Sequence, residues 1–60
     1  MMIKCFKCDT VLILKESLMG YRICKCCNLQ VDNTINEVHA TEWSFVAIKK
    51  DEKQKWRKII

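Results

Sequence analysis

The apolar residues of this chain fall in short runs, punctuated by cysteine clusters and polar turns. After "IKCFKC", the run "DTVLILK" is rich in β-branched and aliphatic residues and predicts a strand. "ESLMG" follows and closes on Gly20, the only glycine, where a turn is expected. "YRIC" then alternates and leads back toward the second cysteine cluster, so residues 10–24 read as a hairpin. Beyond it, Asp32 and Asn33 in "DNT" tolerate the positive φ of a second tight hairpin.

From Glu37 to Lys49 the sequence "EVHATEWSFVAIK" reads as one strand, with Trp43, Phe45 and Ala47 on one face and Ser44, Val46 and Ile48 on the other. A helical reading competes, because Phe45, Ile48, Trp56 and Ile59 recur at roughly heptad spacing, but Glu52 interrupts that stripe. The expectation is a strand to about Lys49, then a short helix or frayed tail through "DEKQKWRKII". Asp51 would lie near the start of such a helix, and Lys55, Arg57 and Lys58 near its end, as the helix dipole prefers. Residues 1–49 thus form the body and residues 50–60 a basic C-terminal helix or tail.

At 60 residues the chain makes one domain at most and buries too little apolar surface to fold without a staple. Five cysteines are the obvious candidates, and an odd number fits poorly with a fully paired disulfide framework. The opening "MMIKCFKCDTVLILKESL" does not read as a secretory signal, and "VLIL" is far shorter than a membrane span. A cytoplasmic setting is expected, with reduced thiols that hold a metal rather than each other.

"CFKC", from Cys5 to Cys8, and "CKCC", from Cys24 to Cys27, are both C-x-x-C pairs, separated by residues 9–23. Two intervening residues let one tight turn offer both sulfurs to one ion, and the spacer suffices for a hairpin to return the second turn to the first. On that spacing Cys5, Cys8, Cys24 and Cys27 are the ligands of one structural Zn²⁺. Cys26 falls where Lys7 sits in the first motif and is the extra thiol. Asp9 and Asn28 follow the two pairs, and both types visit positive φ readily, as such turns require. Three other readings use parts of this set: a thioredoxin-like redox pair, an iron–sulfur cluster, and a three-cysteine site completed by His39. A closed four-thiolate site has no open position for water or substrate, and no nucleophile–base pair or phosphate-cradling loop accompanies it, so no enzymatic activity and no small-molecule substrate are expected.

The paired motifs and their spacing resemble the zinc ribbon over about residues 3–49, and "MIKCFKCD" with "CNLQVDN" is similar to small zinc-ribbon proteins of bacteriophages. The resemblance implies a small, metal-stabilised, mainly β fold. Two zinc knuckles would carry a three- to four-stranded antiparallel sheet, followed by the short C-terminal helix or basic tail. The phage likeness implies a viral protein that acts in the host cytoplasm by docking on a host protein and altering it.

The formal charge of +4 changes the picture less than it first suggests. Through residue 48, Lys4, Lys7, Lys15, Arg22 and Lys25 cancel Asp9, Glu16, Asp32, Glu37 and Glu42. The excess lies in "KKDEKQKWRKII", where Lys49, Lys50, Lys53, Lys55, Arg57 and Lys58 could meet phosphates while Trp56 stacks on a base, with Tyr21 and Phe6 extending the surface. Half the chain is hydrophobic, more than one thin sheet covers. Trp43, Phe45, Val46, Ile48, Trp56, Ile59 and the terminal Ile60 therefore suggest docking on a protein partner or self-association as a homodimer. Protein docking is the favoured reading, nucleic-acid binding is the alternative, and no membrane role is indicated.

Overall fold

The computed structural model describes residues 1–59; Ile60, named above as part of an apolar end, lies outside them. β1 (Met2–Cys5) alternates, with Ile3 and Cys5 buried and Met2 and Lys4 half-buried, as a strand with one core face must. It pairs antiparallel with β2 (Thr10–Ile13) on one side and with β6 (Val46–Lys49) on the other. β7 (Arg57–Lys58) adds to β6, giving a four-stranded sheet in the order β2-β1-β6-β7. A second sheet takes the order β3-β4-β5, from β3 (Tyr21–Ile23), β4 (Leu29–Asp32) and β5 (Glu37–Ala40). Leu29 and Val31 of β4 are wholly buried and join Ile3, Cys5, Leu12, Cys24 and Val46 in one cluster, with Val38, Trp43 and Ile48 packed against it.

The hairpin expected over residues 10–24 does not form. β2 and β3 lie in different sheets, and each pairs instead across its own cysteine turn, β1 with β2 and β3 with β4. These are the closures of shortest loop, which cost the least chain entropy. The intervening segment ends at Gly20, where φ is +99° and an added Cβ would meet nothing within 4 Å. Glycine is needed there for conformation and not for space. Its N–H donates to Thr34 Oγ1 at 2.8 Å and its carbonyl accepts from Asn33 N–H at 2.9 Å.

That contact explains a second difference. The β4–β5 turn takes its positive φ at Asn36 (56°), not at Asp32 or Asn33. Asn33 is buried, and its amide joins the sheets: Oδ1 accepts from Lys15 N–H at 2.8 Å and Nδ2 donates to the Ile13 carbonyl at 2.9 Å.

The single strand expected from Glu37 to Lys49 is two strands in two sheets. Buried Asn28 divides them: its Oδ1 accepts from Glu42 N–H at 2.7 Å, its Nδ2 donates to the Glu42 carbonyl at 3.1 Å, and its own carbonyl accepts from Thr41 N–H at 3.0 Å. Glu42 is thus bonded to a side-chain amide in place of a strand partner. A 3₁₀ turn over Trp43–Phe45 follows, and the chain emerges as β6 beside β1. Trp43 and Phe45 therefore do not share a strand face.

No α-helix occurs among the described residues, so the expected C-terminal helix is replaced. Residues 51–54 make a turn, with Asp51 Oδ1 accepting from Lys53 N–H at 2.9 Å and the Asp51 carbonyl from Gln54 N–H at 3.2 Å. Arg57 and Lys58 then extend along β6. No helix among these residues is long and apolar enough to cross a membrane.

Candidate metal centre

Two turns present the sulfurs. In the first, Cys5 ends β1 on its buried face, the chain reverses over residues 6–9, and Asp9 adopts φ 58° so that β2 can begin at Thr10. In the second, Cys24 is buried at the end of β3, and a tight turn is closed by Cys27 N–H to the Cys24 carbonyl and Cys24 N–H to the Leu29 carbonyl, both at 3.0 Å. The Sγ atoms of Cys5, Cys8, Cys24 and Cys26 all lie within 4.8 Å of one another.

Cys26 therefore stands where the spacing of the motifs had put Cys27. Cys27 instead occupies the left-handed position of its turn, with φ 65°, and is exposed. The first turn obeys the same rule, since the residue directly after Cys8 also has positive φ. What differs is the number of residues between the two sulfurs, two in "CFKC" and one in "CKC". Asn28, expected at positive φ, is the residue that clasps Glu42, and its Nδ2 also lies 3.7 Å from Cys5 Sγ. An asparagine suits either role, so residue type alone gave no signal between them.

The spacing of the sulfurs fits a metal ion. Metal–sulfur bonds of about 2.3 Å in a tetrahedron place sulfurs about 3.8 Å apart. Cys26 Sγ is 3.7 Å from Cys5 Sγ and 3.6 Å from Cys24 Sγ. Donors also converge on the sulfurs, as thiolate ligands need. Leu29 N–H donates to Cys24 Sγ at 3.2 Å and Asn28 Nδ2 to Cys5 Sγ at 3.7 Å, while the Cys8 thiol is bonded at 3.2 Å to Thr10 Oγ1, which also accepts from Lys25 N–H at 3.4 Å.

The electrostatics of Cys8 and Cys26 diverge. The Thr10 hydroxyl, helped by the N–H groups of Cys26 and Thr10, holds Cys8 down to about 5. At Cys26 the Asn28 N–H favours the thiolate, but removal from water and hydrogen bonds with the Cys8, Cys24 and Cys5 sulfurs outweigh it and push the thiol up to about 12. Crowded thiols cannot all ionise by themselves, and a divalent cation among them reverses that preference. Outside the cluster, His39 is exposed and bonds Glu37 Oε2 at 2.9 Å, so it is not gathered with the sulfurs. Lys7 reaches Glu42 Oε1 at 2.9 Å, and this partner raises its pKa.

The remaining sequence-selected residues are dispersed. Val46 is wholly buried, Trp43 and Ile48 pack on the core, and Phe45 is half-buried. Trp56 is half-buried beside Phe6, edge to face at 6.3 Å between centroids, with Lys49 Nζ 4.6 Å from its ring centroid. Lys50, Lys53, Lys55, Arg57, Lys58 and Ile59 are exposed. Tyr21 is exposed too, but on the other sheet from Trp56 and its neighbours. Phe6 joins Trp56 at a cleft that composition alone does not reveal, because it depends on β7 folding back along β6.

Fold and site together define a small, mainly β protein of two antiparallel sheets, with four cysteines that could hold a metal ion. No protein-family model matches the chain, and no match is found among curated proteins or solved structures.

Proposed function

We propose that this chain is a non-enzymatic zinc-ribbon binding module in which Cys5, Cys8, Cys24 and Cys26 hold one structural Zn²⁺ and the outer face of the first sheet binds single-stranded nucleic acid. Zinc suits four thiolates in a tetrahedron, and a complete thiolate shell leaves no coordination position for chemistry. The metal's part is to join the two cysteine turns, and hence the two sheets.

The observation that carries the binding reading is a cleft of about 500 Å³ lined by Phe6, Phe45 and Trp56 together with Ser44, Ala47 and Lys58. Lysines stand over the rings: Lys4 Nζ is 4.6 Å from the Phe6 centroid and 5.8 Å from that of Trp56, and Lys7 Nζ is 5.5 Å from that of Phe45. Aromatic faces stack on bases irrespective of sequence, at about 1–3 kcal/mol each, while lysines neutralise the backbone. Protein docking draws less support, because Val46, Trp43 and Ile48 spend their apolar surface on the core. The basic residues of the C-terminal segment remain exposed.

Titrating the zinc-loaded protein with oligothymidylate tests this reading. Tryptophan emission should be quenched, with a Trp43→Phe variant leaving Trp56 as sole reporter. Phe6→Ala should weaken affinity about ten-fold, as the loss of one stacked base implies. Added salt should weaken it steeply. If low salt yields neither quenching nor a mobility shift, the nucleic-acid reading fails.

A further inference from the structure

Alternation along β6 and β7 gives this ribbon a second face. Ala47 and Lys58 are paired and border the aromatic cleft, whereas the next pair, Ile48 and Arg57, points to the other side. There a pocket of about 280 Å³ is lined by Met1, Ile48, Lys49, Lys50, Gln54, Lys55 and Arg57, with no acidic residue among them. The ion pairs among the described residues, Lys4–Asp9, Lys7–Glu42 and Glu37–His39, use none of these cations. Asp51, the nearest acid in sequence, spends a carboxylate oxygen on Lys53 N–H within its own turn. Gln54 Oε1 is occupied by Lys50 N–H at 2.8 Å, which leaves the side-chain amide with its N–H₂ donors. The side chains facing the pocket thus supply donors and positive charge, and no free carboxylate. Four cationic side chains and an amide donor are the chemistry that recognises phosphate, with the planar guanidinium able to bind two oxygens at once.

We propose that this pocket is a phosphate-binding site that takes a backbone phosphate of the strand whose bases occupy the aromatic cleft. The proposal rests on the nucleic-acid reading for the source of the phosphate, not for the existence of the site. β7 is an edge strand, so a nucleic-acid strand can pass around it from one face to the other. Lys49 belongs to both faces, lining the pocket while its ammonium stands over Trp56.

The test uses the zinc-loaded, ¹⁵N-labelled full chain and inorganic phosphate, with no nucleic acid present. Saturable amide shifts are expected over residues 48–50 and 54–57. They should vanish in a Lys55→Gln/Arg57→Gln variant and survive in Lys53→Gln, which alters a cation outside the pocket. Zinc content and the circular-dichroism spectrum confirm that each variant is folded. With oligothymidylate, the double variant should keep full Trp56 quenching at saturation while its salt slope falls by about 1.4, for two contacts at about 0.7 each. Absence of saturable shifts, equal shifts in the double variant, or an unchanged salt slope overturns the proposal. Phosphate shifts with no Trp56 response to oligothymidylate would keep the phosphate site and remove the base cleft instead.

Discussion

Cys26 and Cys27 are adjacent and chemically identical, and backbone conformation alone separates them. A residue at φ 65° carries its side chain away from the turn's interior, so only Cys26 reaches the other three sulfurs. Cys26→Ser should lower zinc affinity by more than the roughly 10–100-fold that losing a supporting hydrogen-bond partner costs. Cys27→Gly should keep one zinc per chain and gain about 1 kcal/mol, because glycine has no penalty in the left-handed region. Metal competition with a chromophoric chelator and denaturant unfolding measure the two. Zinc lost in the Cys27 variant and kept in the Cys26 variant would exchange their roles. The sequence made the existence of this site legible, since paired cysteines across a hairpin-length spacer have few other uses in so short a chain. It also placed Cys5, Cys8 and Cys24 in the cluster and Asp9 at positive φ. The fourth sulfur was illegible because a C-x-x-C and a C-x-C turn both fit "CKCCN", and the choice rests on where Asn28 is needed.

At the scale of elements, two buried asparagines stand in for strand partners, and one of them, Asn28, sets the course of the chain from Glu37 to Lys49. Each offers one acceptor and one donor to a backbone segment, Asn28 to Glu42 and Asn33 to Ile13 and Lys15. Alternation along "EVHATEWSFVAIK" identified strand and could not reveal the break, because the group that makes it lies 14 residues earlier. The same limit hid β7: Trp56 and its charged neighbours suit a helix by dipole and spacing, and only the exposed flank of β6 gives them a strand to join. Asn33 offers the cleaner test, since it is remote from the sulfurs. Asn33→Ala should destabilise the zinc-loaded protein by about 2 kcal/mol, from two lost bonds and two stranded backbone groups, or roughly 10 °C in Tm at this size. Asn33→Asp should be no better at neutral pH, because its carboxylate cannot donate to the Ile13 carbonyl and repels it. Thermal unfolding decides, and an unchanged Tm in Asn33→Ala would mean that apolar contact alone joins the sheets.

For the whole molecule, the apolar cluster of Ile3, Leu12, Leu29, Val31 and Val46 is thin, in a body of 26 × 25 × 17 Å. Such a core rarely supplies more than about 3–5 kcal/mol, whereas a structural zinc in a small domain contributes an apparent 10–16 kcal/mol, roughly, near neutral pH. Two of the core positions, Cys5 and Cys24, belong to the metal cluster as well. An ion held by these sulfurs would sit at the centre of the fold, and its removal should loosen that centre and not a peripheral clip. Excess chelator should abolish the β spectrum and shift Trp43 emission to the red in one cooperative step, with recovery on adding Zn²⁺. Acid reaches the same end by protonation. In the unfolded chain thiols hold protons below their ordinary pKa of about 8.5, whereas metal-bound thiolates hold none. A metal-bound fold therefore carries fewer protons than the unfolded chain, so the stabilisation that a bound metal supplies is complete above the unfolded thiol value and is lost as pH falls, by about 1.4 kcal/mol per pH unit for each proton taken up. Cys8, already held near 5 by Thr10 before any metal arrives, gives up its proton most readily of the pair that diverges, and Cys26, pushed up to about 12, exacts the metal's proton release. Zinc release and unfolding should therefore coincide on an acid titration followed by both chelator absorbance and circular dichroism. A folded spectrum that outlasts the metal would show that the two sheets hold together without it, and that the four sulfurs serve something other than the fold.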